Sequence, residues 1–325
     1  TDAFPKESSH KMAIDERAIE DCHEYHATLL EFEKRGFPIT EDRMAATTAI
    51  LQITWKGAFA PVQREKHSTL TWDRAVVTFN CAALLTQKAA DCSVTDREEC
   101  KNGVSLCQQA ASLLSILKEL CCTQNPPYST VDLSAPMLTF WESYLIAAAQ
   151  NFIYRMAALN STQQHNTLAQ LSQSVYKLYA TALTNSQDAR LLSEVPKYAK
   201  EWATHCKSVS MLASAKASFH QSVVYRLNAQ WGFEIVQLRH CHEQVNDCQN
   251  FIKSIDDDNS YTRRECLAIA PIVQDRLNEA VNDNKTYLDN IPSKVPEIAP
   301  KQLAKVNPQL PASMLIPNVP LFVGL

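Results

Sequence analysis

The chain has 325 residues, of which 46% are hydrophobic, so it is long enough to bury a large core. Its net charge of −4 and its pI near 6.1 argue against a dedicated nucleic-acid-binding protein, because such proteins are usually basic. Only 5 residues are glycine, and since glycine is the usual residue of tight turns and sheet bends, this scarcity predicts long helices joined by few turns.

The N-terminal part of the chain is predicted to contain a helix, a strand and a second, buried helix. Asp15–Lys34 has a helical pattern that ends at Gly36. Apolar residues alternate with polar ones from Thr47 to Trp55, which is the pattern of a strand. From Trp72 onward the apolar period becomes helical, and Val77–Ala90 is apolar on nearly every side, as expected for a helix inside an all-helical body.

Long helices are predicted for most of the remaining chain. The predicted segments are Glu98–Cys122, Met137–Ala158, Thr162–Leu183, Val195–Gln230, Trp231–Lys253 and Thr262–Asn284. Successive long helices with small residues at their contact points indicate antiparallel hairpins stacked as a solenoid. No repeat consensus of about 34 residues is present, so any tetratricopeptide-like character is expected to be structural only.

The C-terminal stretch is predicted to be an extended, proline-rich arm packed on the helical body. After Tyr287 the prolines are Pro292, Pro296, Pro300, Pro308, Pro311, Pro317 and Pro320. Val306–Leu325 carries no charge, but its prolines exclude a continuous helix and therefore a helical membrane span. We interpret residues 1–325 as a single domain in which residues 288–325 form the arm.

The eleven cysteines are interpreted as buried free thiols of a cytosolic protein, since they lie mostly in helical patterns and their number is odd. His205-Cys206 and His240-Cys241 begin like the phosphatase loop, in which an arginine follows the cysteine after five residues. Leu212 and Asp247 stand where that arginine belongs. Neither thiol has the cationic activation that a nucleophile needs. An enzyme that uses Cys206 or Cys241 is kept as an alternative, to be tested by selective thiol labelling.

No metal or cofactor site is predicted. His23 and His26 lie three residues apart, and His240 and His242 flank Cys241, but neither set completes a zinc spacing. The aspartates after Ile255 lack the alternation, the glycine and the closing glutamate of a calcium loop, and no glycine-rich phosphate loop is present. We therefore expect a protein that is not an enzyme and that acts through its surfaces.

A basic cluster lies in the helix predicted from Val195. Lys197, Lys200, Lys207 and Lys216 outnumber the acidic residues of the same span. Clustered lysines attract anionic lipid headgroups, so these residues are candidates for a membrane-facing surface. A solvated helix face is an equally good interpretation.

A series of short motifs resembles one family in its order and spacing. The motifs are Ile53–Phe59, Val77–Ala90, Val131–Ser134, Ile146–Gln150, Ala169–Leu171, Phe219–Ser222, Gly232–Leu238, Asn282–Asn284 and Pro317–Pro320. Together they resemble the Bro-one domain family, the ALIX-like scaffolds of membrane-remodelling pathways. The resemblance implies a mainly α fold: a curved, solenoid-like helical body with a tetratricopeptide-like core, a small N-terminal β element and the C-terminal arm. It also implies that the chain is N-terminally incomplete, because the family has several dozen further residues before the match to Tyr25.

The resemblance also implies a function and a site. Members of the family dock the C-terminal amphipathic helix of an ESCRT-III core subunit in an apolar patch, which is the helix-in-groove mode of recognition. Here the patch would use Ile153 on one helix and Thr167, Leu168 and Leu171 on the next, with Lys101 as a basic position on the same surface. The implied protein is a non-catalytic adaptor of the cytoplasm, peripherally associated with endosomal membranes, without a nucleic-acid partner.

Some residues keep a second hypothesis open. Thr167 stands where the family prefers an aliphatic residue, and Arg97 lies near the position of an acidic partner-contacting residue. A helical scaffold whose patch has drifted to another protein or to an anionic membrane surface is therefore the alternative. Leu168 and Leu171 also belong to a helical stripe of a kind that usually faces the core. Tyr287 matches a tyrosine that some members expose and that is phosphorylated there; a packed aromatic is the alternative.

Overall fold

A computed structural model describes residues 16–36, 53–60, 64–67, 69–124, 128–160, 164–255 and 261–318. Helices α1 to α9 span, in chain order, Glu16–Lys34, Leu70–Asp91, Arg97–Cys122, Ala135–Leu159, His165–Ser186, Ala189–Glu194, Pro196–Leu227, Trp231–Ser254 and Tyr261–Tyr287. The mainly α prediction is confirmed, and the predicted helices are present with ends that differ by a few residues. The short helix α6 was not predicted; it begins after Asp188, whose side chain accepts a hydrogen bond from the backbone N–H of Arg190 (2.8 Å).

A small antiparallel hairpin precedes α2. Strand β1 (Ile53–Lys56) pairs with β2 (Arg64–His67), and Ile53 lies opposite His67. The predicted strand began at Thr47, but residues 47–52 lie outside the described ranges, as do the aspartates after Ile255. The predicted N-terminal β element is thus present as a two-stranded sheet.

Asp132 joins two of the motifs that carry the family resemblance. It lies in a short 3-10 turn before α4 and is fully buried. Its carboxylate accepts hydrogen bonds from Trp55 Nε1 (3.3 Å) and from the backbone N–H groups of Ala58 (2.5 Å) and Phe59 (3.3 Å). Burial raises the pKa of Asp132, although these hydrogen bonds act in the opposite direction. The motif around Trp55 is therefore held on the helical body by a buried carboxylate.

Helices α1 to α5 and α7 to α9 pack mainly against their neighbours in sequence, as stacked antiparallel hairpins do. Helix α4 lies inside this stack because it is apolar on all sides; Phe140, Tyr144 and Phe152 are almost completely buried. Gly103 lets α3 approach α4 closely, since a Cβ atom at this position would lie 2.8 Å from the Phe152 ring. One continuous hydrophobic core extends from α1 to the first half of α7.

The last two hairpins have a different interior. The core residues between α7, α8 and α9 form three small clusters, centred on Leu212, Ala215 and Ile235. Polar pairs lie beside them: Arg276 Nε donates to Glu234 Oε1 (2.8 Å), and Ser218 donates to Gln244 (2.8 Å). Burial raises the pKa of Glu234, although Arg276 lowers it.

The C-terminal segment (residues 288–318) runs over the helical body with a single 3-10 turn, Ala312–Met314. Gln150, fully buried on α4, donates from Nε2 to the carbonyl of Lys301 (3.0 Å). Gln150 Oε1 accepts from the backbone N–H groups of Leu303 (2.9 Å) and Ala304 (3.0 Å). One glutamine thus binds three backbone groups between residues 301 and 304 of the segment.

The same segment then reaches α1. His26 Nδ1–H donates to the carbonyl of Met314 (2.8 Å), and Glu24 accepts from the backbone N–H of Asn318 (2.8 Å). Residues 319–325 lie outside the described ranges. The division of the chain into one domain, 1–325, with an arm at 288–325 stays a prediction.

Within the described ranges, no helix combines the length and the apolar character that crossing a bilayer requires. All eleven cysteines are free, nine of them buried, with Cys22 half-buried and Cys122 exposed. The interpretation of the cysteines as mostly buried thiols is therefore confirmed.

Candidate partner-binding surface

The first and the last residue of the predicted patch, in chain order, are buried. Ile153 on α4 is 8% exposed and Leu171 on α5 is 2% exposed, and both belong to the continuous core. Their helices pack directly against each other. Ile153 and Leu171 are therefore core residues, and neither presents an exposed apolar side chain on the surface.

The other two predicted residues are accessible. Thr167 and Leu168 are half-buried in the first turn of α5, and Leu168 also packs against the core. Thr167 lines a surface cavity of about 260 Å³ between the start of α5 and the end of α7. The cavity is lined by Gln164, His165, Asn166, Thr167, Val224, Leu227 and Asn228. Among the residues of the predicted patch, Thr167 alone is part of this lining, and Leu168 is the next residue of α5.

Sequence reasoning missed the apolar residues on the far side of this cavity. Leu227, the last residue of α7, is 68% exposed, and Val224 lies one turn before it. Leu159, the last residue of α4, is exposed as well but is not part of the cavity lining. Leu159 and Leu227 each end a helix, so neither stands out in a helical period; their sequence signal is an aliphatic residue directly before an Asn that follows the helix.

Lys101 and Arg97 lie on the first two turns of α3. Lys101 is exposed, and its ammonium lies 3.6 Å from Glu98, one turn earlier. Arg97 Nη1 donates to the side chain of Asn160 (3.0 Å), which joins the start of α3 to the end of α4. Arg97 is thus held at the α3–α4 junction, beside the helix that carries Ile153.

Three of the four lysines proposed to face a membrane are exposed on α7, and the fourth is not. Lys197, Lys200 and Lys207 are exposed, and Lys207 Nζ lies 4.4 Å from the centre of the Phe251 ring. Lys216 is only 8% exposed, and its ammonium donates to the Glu265 carboxylate. The placement of Lys216 on the basic surface was wrong, because α9 covers this part of α7.

Tyr287, the last residue of α9, is partly exposed and also packs against another aromatic ring. Its side chain is 56% exposed, and its ring stacks on Trp231 with the ring centres 4.4 Å apart and the planes inclined by 8°. Phosphorylation of Tyr287 stays a prediction.

The two cysteines considered as nucleophiles are fully buried. Burial raises the pKa of Cys206 to about 12 and the pKa of Cys241 to about 12. Both thiols are therefore protonated at neutral pH, whereas a cysteine nucleophile needs a depressed pKa. Cys241 Sγ donates to the carbonyl of Ala215 (3.2 Å), which is a packing contact between α8 and α7.

Comparison with known proteins places this architecture. The family model described as a BRO1-like domain matches residues 5–325. The Programmed cell death 6-interacting protein of Homo sapiens is 25% identical over 238 residues, which is 71% of this chain and 26% of that protein. The pH-response regulator protein palA/RIM20 of Saccharomyces cerevisiae is 21% identical over 298 residues, 91% of this chain and 40% of that protein. The chain thus spans between a quarter and two fifths of the length of these relatives.

Two solved structures share the fold. The ALIX BRO1 CHMP4C complex superposes with a TM-score of 0.80 at 22% identity, over 94% of this chain and 82% of that one. A Bro1 domain structure that concerns endosomal targeting gives a TM-score of 0.76 at 16% identity, over 92% of this chain and 79% of that one. At these identities the structural likeness shows a shared fold, while the family model covers nearly the whole sequence. The chain therefore belongs to the BRO1-like domain family.

Proposed function

We propose that this domain is a non-catalytic adaptor that binds the C-terminal amphipathic helix of an ESCRT-III core subunit. The membership of the chain in the BRO1-like family and the solved ALIX BRO1 CHMP4C complex support this proposal. The observation that carries it is the pair Thr167 and Leu168, half-buried beside an open cavity whose other wall includes the exposed Leu227. Recognition of a helix depends on a few apolar anchors that enter such a surface.

The proposed setting is the cytoplasm, at the periphery of endosomal membranes. An adaptor that links the membrane-remodelling machinery to these membranes needs no active site, and the buried, protonated thiols of Cys206 and Cys241 are consistent with a protein of that kind.

The test is a titration of the domain with a fluorescent peptide of an ESCRT-III C-terminal helix. Leu168→Asp places a charge on the accessible part of the surface and should weaken binding by about thirtyfold or more, the effect of losing an apolar anchor. Leu171→Asp is unsuitable, because a charge at a side chain that is 2% exposed would unfold the domain. Leu267→Asp, which changes an exposed leucine on α9, is the matched control and should bind as the unchanged protein does.

A second variant sharpens the test. Thr167→Leu restores the aliphatic residue that the family prefers and should tighten binding, since it adds apolar area beside the cavity. Absence of saturable binding by the unchanged domain would contradict the proposal and favour a scaffold with another ligand.

The second candidate ligand is an anionic membrane surface. Lys197, Lys200 and Lys207 are exposed and, at intervals of three and seven residues, lie within one face of α7. Cosedimentation with vesicles that contain phosphatidylserine tests this candidate. Replacement of all three lysines by glutamine should abolish a membrane interaction and leave peptide binding unchanged, so the two candidates are separable.

A further inference from the structure

A buried cluster of charges joins α4, α7 and α9. Glu265 on α9 accepts hydrogen bonds through the same oxygen, Oε2, from Arg155 Nη1 on α4 (3.2 Å) and from Lys216 Nζ on α7. The side chains of Arg155 and Lys216 are 14% and 10% exposed. Two cations therefore share one carboxylate, which leaves an excess positive charge at a mostly buried place.

No second carboxylate among the described residues neutralises this excess. Helix α5 contributes Ser172 and Val175, which carry no charge. His220 on α7 has a pKa lowered to about 3 by burial and by neighbouring cations, so it is neutral at pH 7. Burial and the charge of Arg155 lower the pKa of Lys216 to about 8, which leaves its ammonium largely protonated at pH 7. At pH 7, two cations therefore face one carboxylate in this cluster.

Arg155 and Lys216 of this cluster line a cavity of about 20 Å³, which is enough for one particle of the size of a water molecule. Arg155 and Tyr261 both contribute to its wall, and the Arg155 guanidinium lies 4.4 Å from the centre of the Tyr261 ring. In the part of the chain that the structure describes, no protein group accepts a hydrogen bond from Arg155 Nε or pairs with the Tyr261 hydroxyl, and both atoms are buried. The described lining of the cavity includes no acidic residue.

We infer that this cavity binds a small inorganic anion of the size of chloride, held by Arg155 Nε–H and the Tyr261 hydroxyl and attracted by the excess positive charge of Arg155 and Lys216. Arg155 Nε–H is only a donor, and the tyrosine hydroxyl supplies a second donor. An anion accepts from both donors and also offsets the excess positive charge, which a neutral water molecule cannot do. The bound anion would hold the first turn of α9 to α4 and α7.

Thermal unfolding of the 325-residue chain tests the inference, with chloride replaced stepwise by gluconate at constant ionic strength. A ligand that binds the folded state raises the unfolding midpoint as its concentration rises. We expect this increase for the unchanged protein. Tyr261→Phe removes one donor and keeps the ring on Arg155, so its response should require about tenfold more chloride, the typical effect of one hydrogen bond to a charged group.

Tyr179→Phe is the matched control. The Tyr179 hydroxyl is also buried without a hydrogen-bond partner among the described residues, but Tyr179 does not line the cavity, so this variant should respond to chloride as the unchanged protein does. Lys216→Met, which leaves Arg155 and Glu265 as a balanced pair, should lose the response. If that variant does not fold, Tyr261→Phe decides alone.

Crystals soaked in bromide give a direct readout. Anomalous scattering should place the ion between Arg155 Nε and the Tyr261 hydroxyl. Equal responses to chloride and gluconate, an unchanged chloride response in Tyr261→Phe, or a water molecule without bromide signal in the cavity would each overturn the inference.

Discussion

The part of the chain up to the middle of α7 and the part from there to α9 are built from similar helices but stabilised in different ways. The first buries large aromatic side chains in one continuous core; for example, Phe140 stacks on Trp202 with the ring centres 4.8 Å apart. The second has three small clusters, supplemented by buried polar pairs such as Glu234 with Arg276. Hairpin stacking alone therefore does not determine how a helical body is stabilised.

The difference arises from the position of each helix in the stack. An inner helix such as α4 has neighbours on several sides, so an apolar residue anywhere on it is buried. Helix α9 packs mainly on α8 and on part of α7, and Glu265 adds a contact to Arg155 on α4. Leu267 and Ile272, on its other side, are exposed. A terminal helix with one covered face buries less apolar area, and specific polar contacts then decide its position.

Truncation of one fully buried leucine in each region should give the largest difference in stability between the two regions. Leu138→Ala in the continuous core should lower the free energy of unfolding by about 4–5 kcal/mol, near the upper end for this change, because the rigid surroundings cannot fill the cavity. Leu238→Ala in the small cluster near α9 should cost about 2–3 kcal/mol, because that site collapses more easily. Urea unfolding measures both; equal losses would refute the distinction between the two regions.

Arg276→Met tests the importance of polar pairs in the second region. It leaves the Glu234 carboxylate, which is 1% exposed, without its cation, and breaking such a pair costs about 3–5 kcal/mol. We expect faster amide hydrogen exchange in α8 and α9 and unchanged exchange in α3 and α4. The double variant Glu234→Met with Arg276→Met removes both charges and should recover most of the loss. Faster exchange throughout the chain would mean that the two regions unfold together.

Acidification tests the contact that joins α1 to the C-terminal segment. Burial, together with nearby positive charge, lowers the pKa of His26 to about 4 from its ordinary value of 6.5. His26 therefore binds a proton more readily in the unfolded chain than in the folded one. Its contribution to the free energy of unfolding is complete above pH 6.5 and is lost progressively between pH 6.5 and 4. The full loss is about 3 kcal/mol.

His26→Gln should reduce the slope of unfolding free energy against pH in this window to about half, because His220, whose pKa is lowered to about 3, contributes a slope of similar size. His242→Gln, a change at a half-buried histidine on α8, is the control and should keep the full slope. A slope that His26→Gln leaves unaltered would show that the contact with Met314 does not respond to pH.

The smallest expected effect is a gain in stability rather than a loss, from a substitution at Leu288. Leu288, directly after α9, has a φ of 52° and is 81% exposed, so a branched residue adopts a left-handed conformation without any gain from packing. Asn tolerates this conformation better, and Leu288→Asn should raise the free energy of unfolding by about 0.5–1 kcal/mol. A loss of stability would indicate that the exposed leucine makes contacts outside the described residues.

The sequence was sufficient to predict the helices, because their apolar periods are local, but not the surroundings of individual side chains. Leu168 and Leu171 lie one turn apart on α5, yet Leu168 is half-buried and Leu171 is buried, and the packing of α4 decides which is which. Lys216 appeared to belong to a basic surface because its partner, Glu265, lies 49 residues later on another helix. Gln150 is similar: nothing nearby in sequence indicates that a buried glutamine binds the backbone of residues 301–304.

The contacts of Gln150 have a consequence for synthesis on the ribosome. Lys301 follows Gln150 by 151 residues, and the Ser112 hydroxyl, which accepts from the backbone N–H of Asn307 (3.2 Å), waits for a partner 195 residues later. At roughly 5–20 residues per second, Gln150 leaves the peptidyl-transferase centre about 8–30 seconds before its partners do. During that interval, the Gln150 amide on α4 and the Ser112 hydroxyl on α3 lack the backbone partners that the C-terminal segment later supplies.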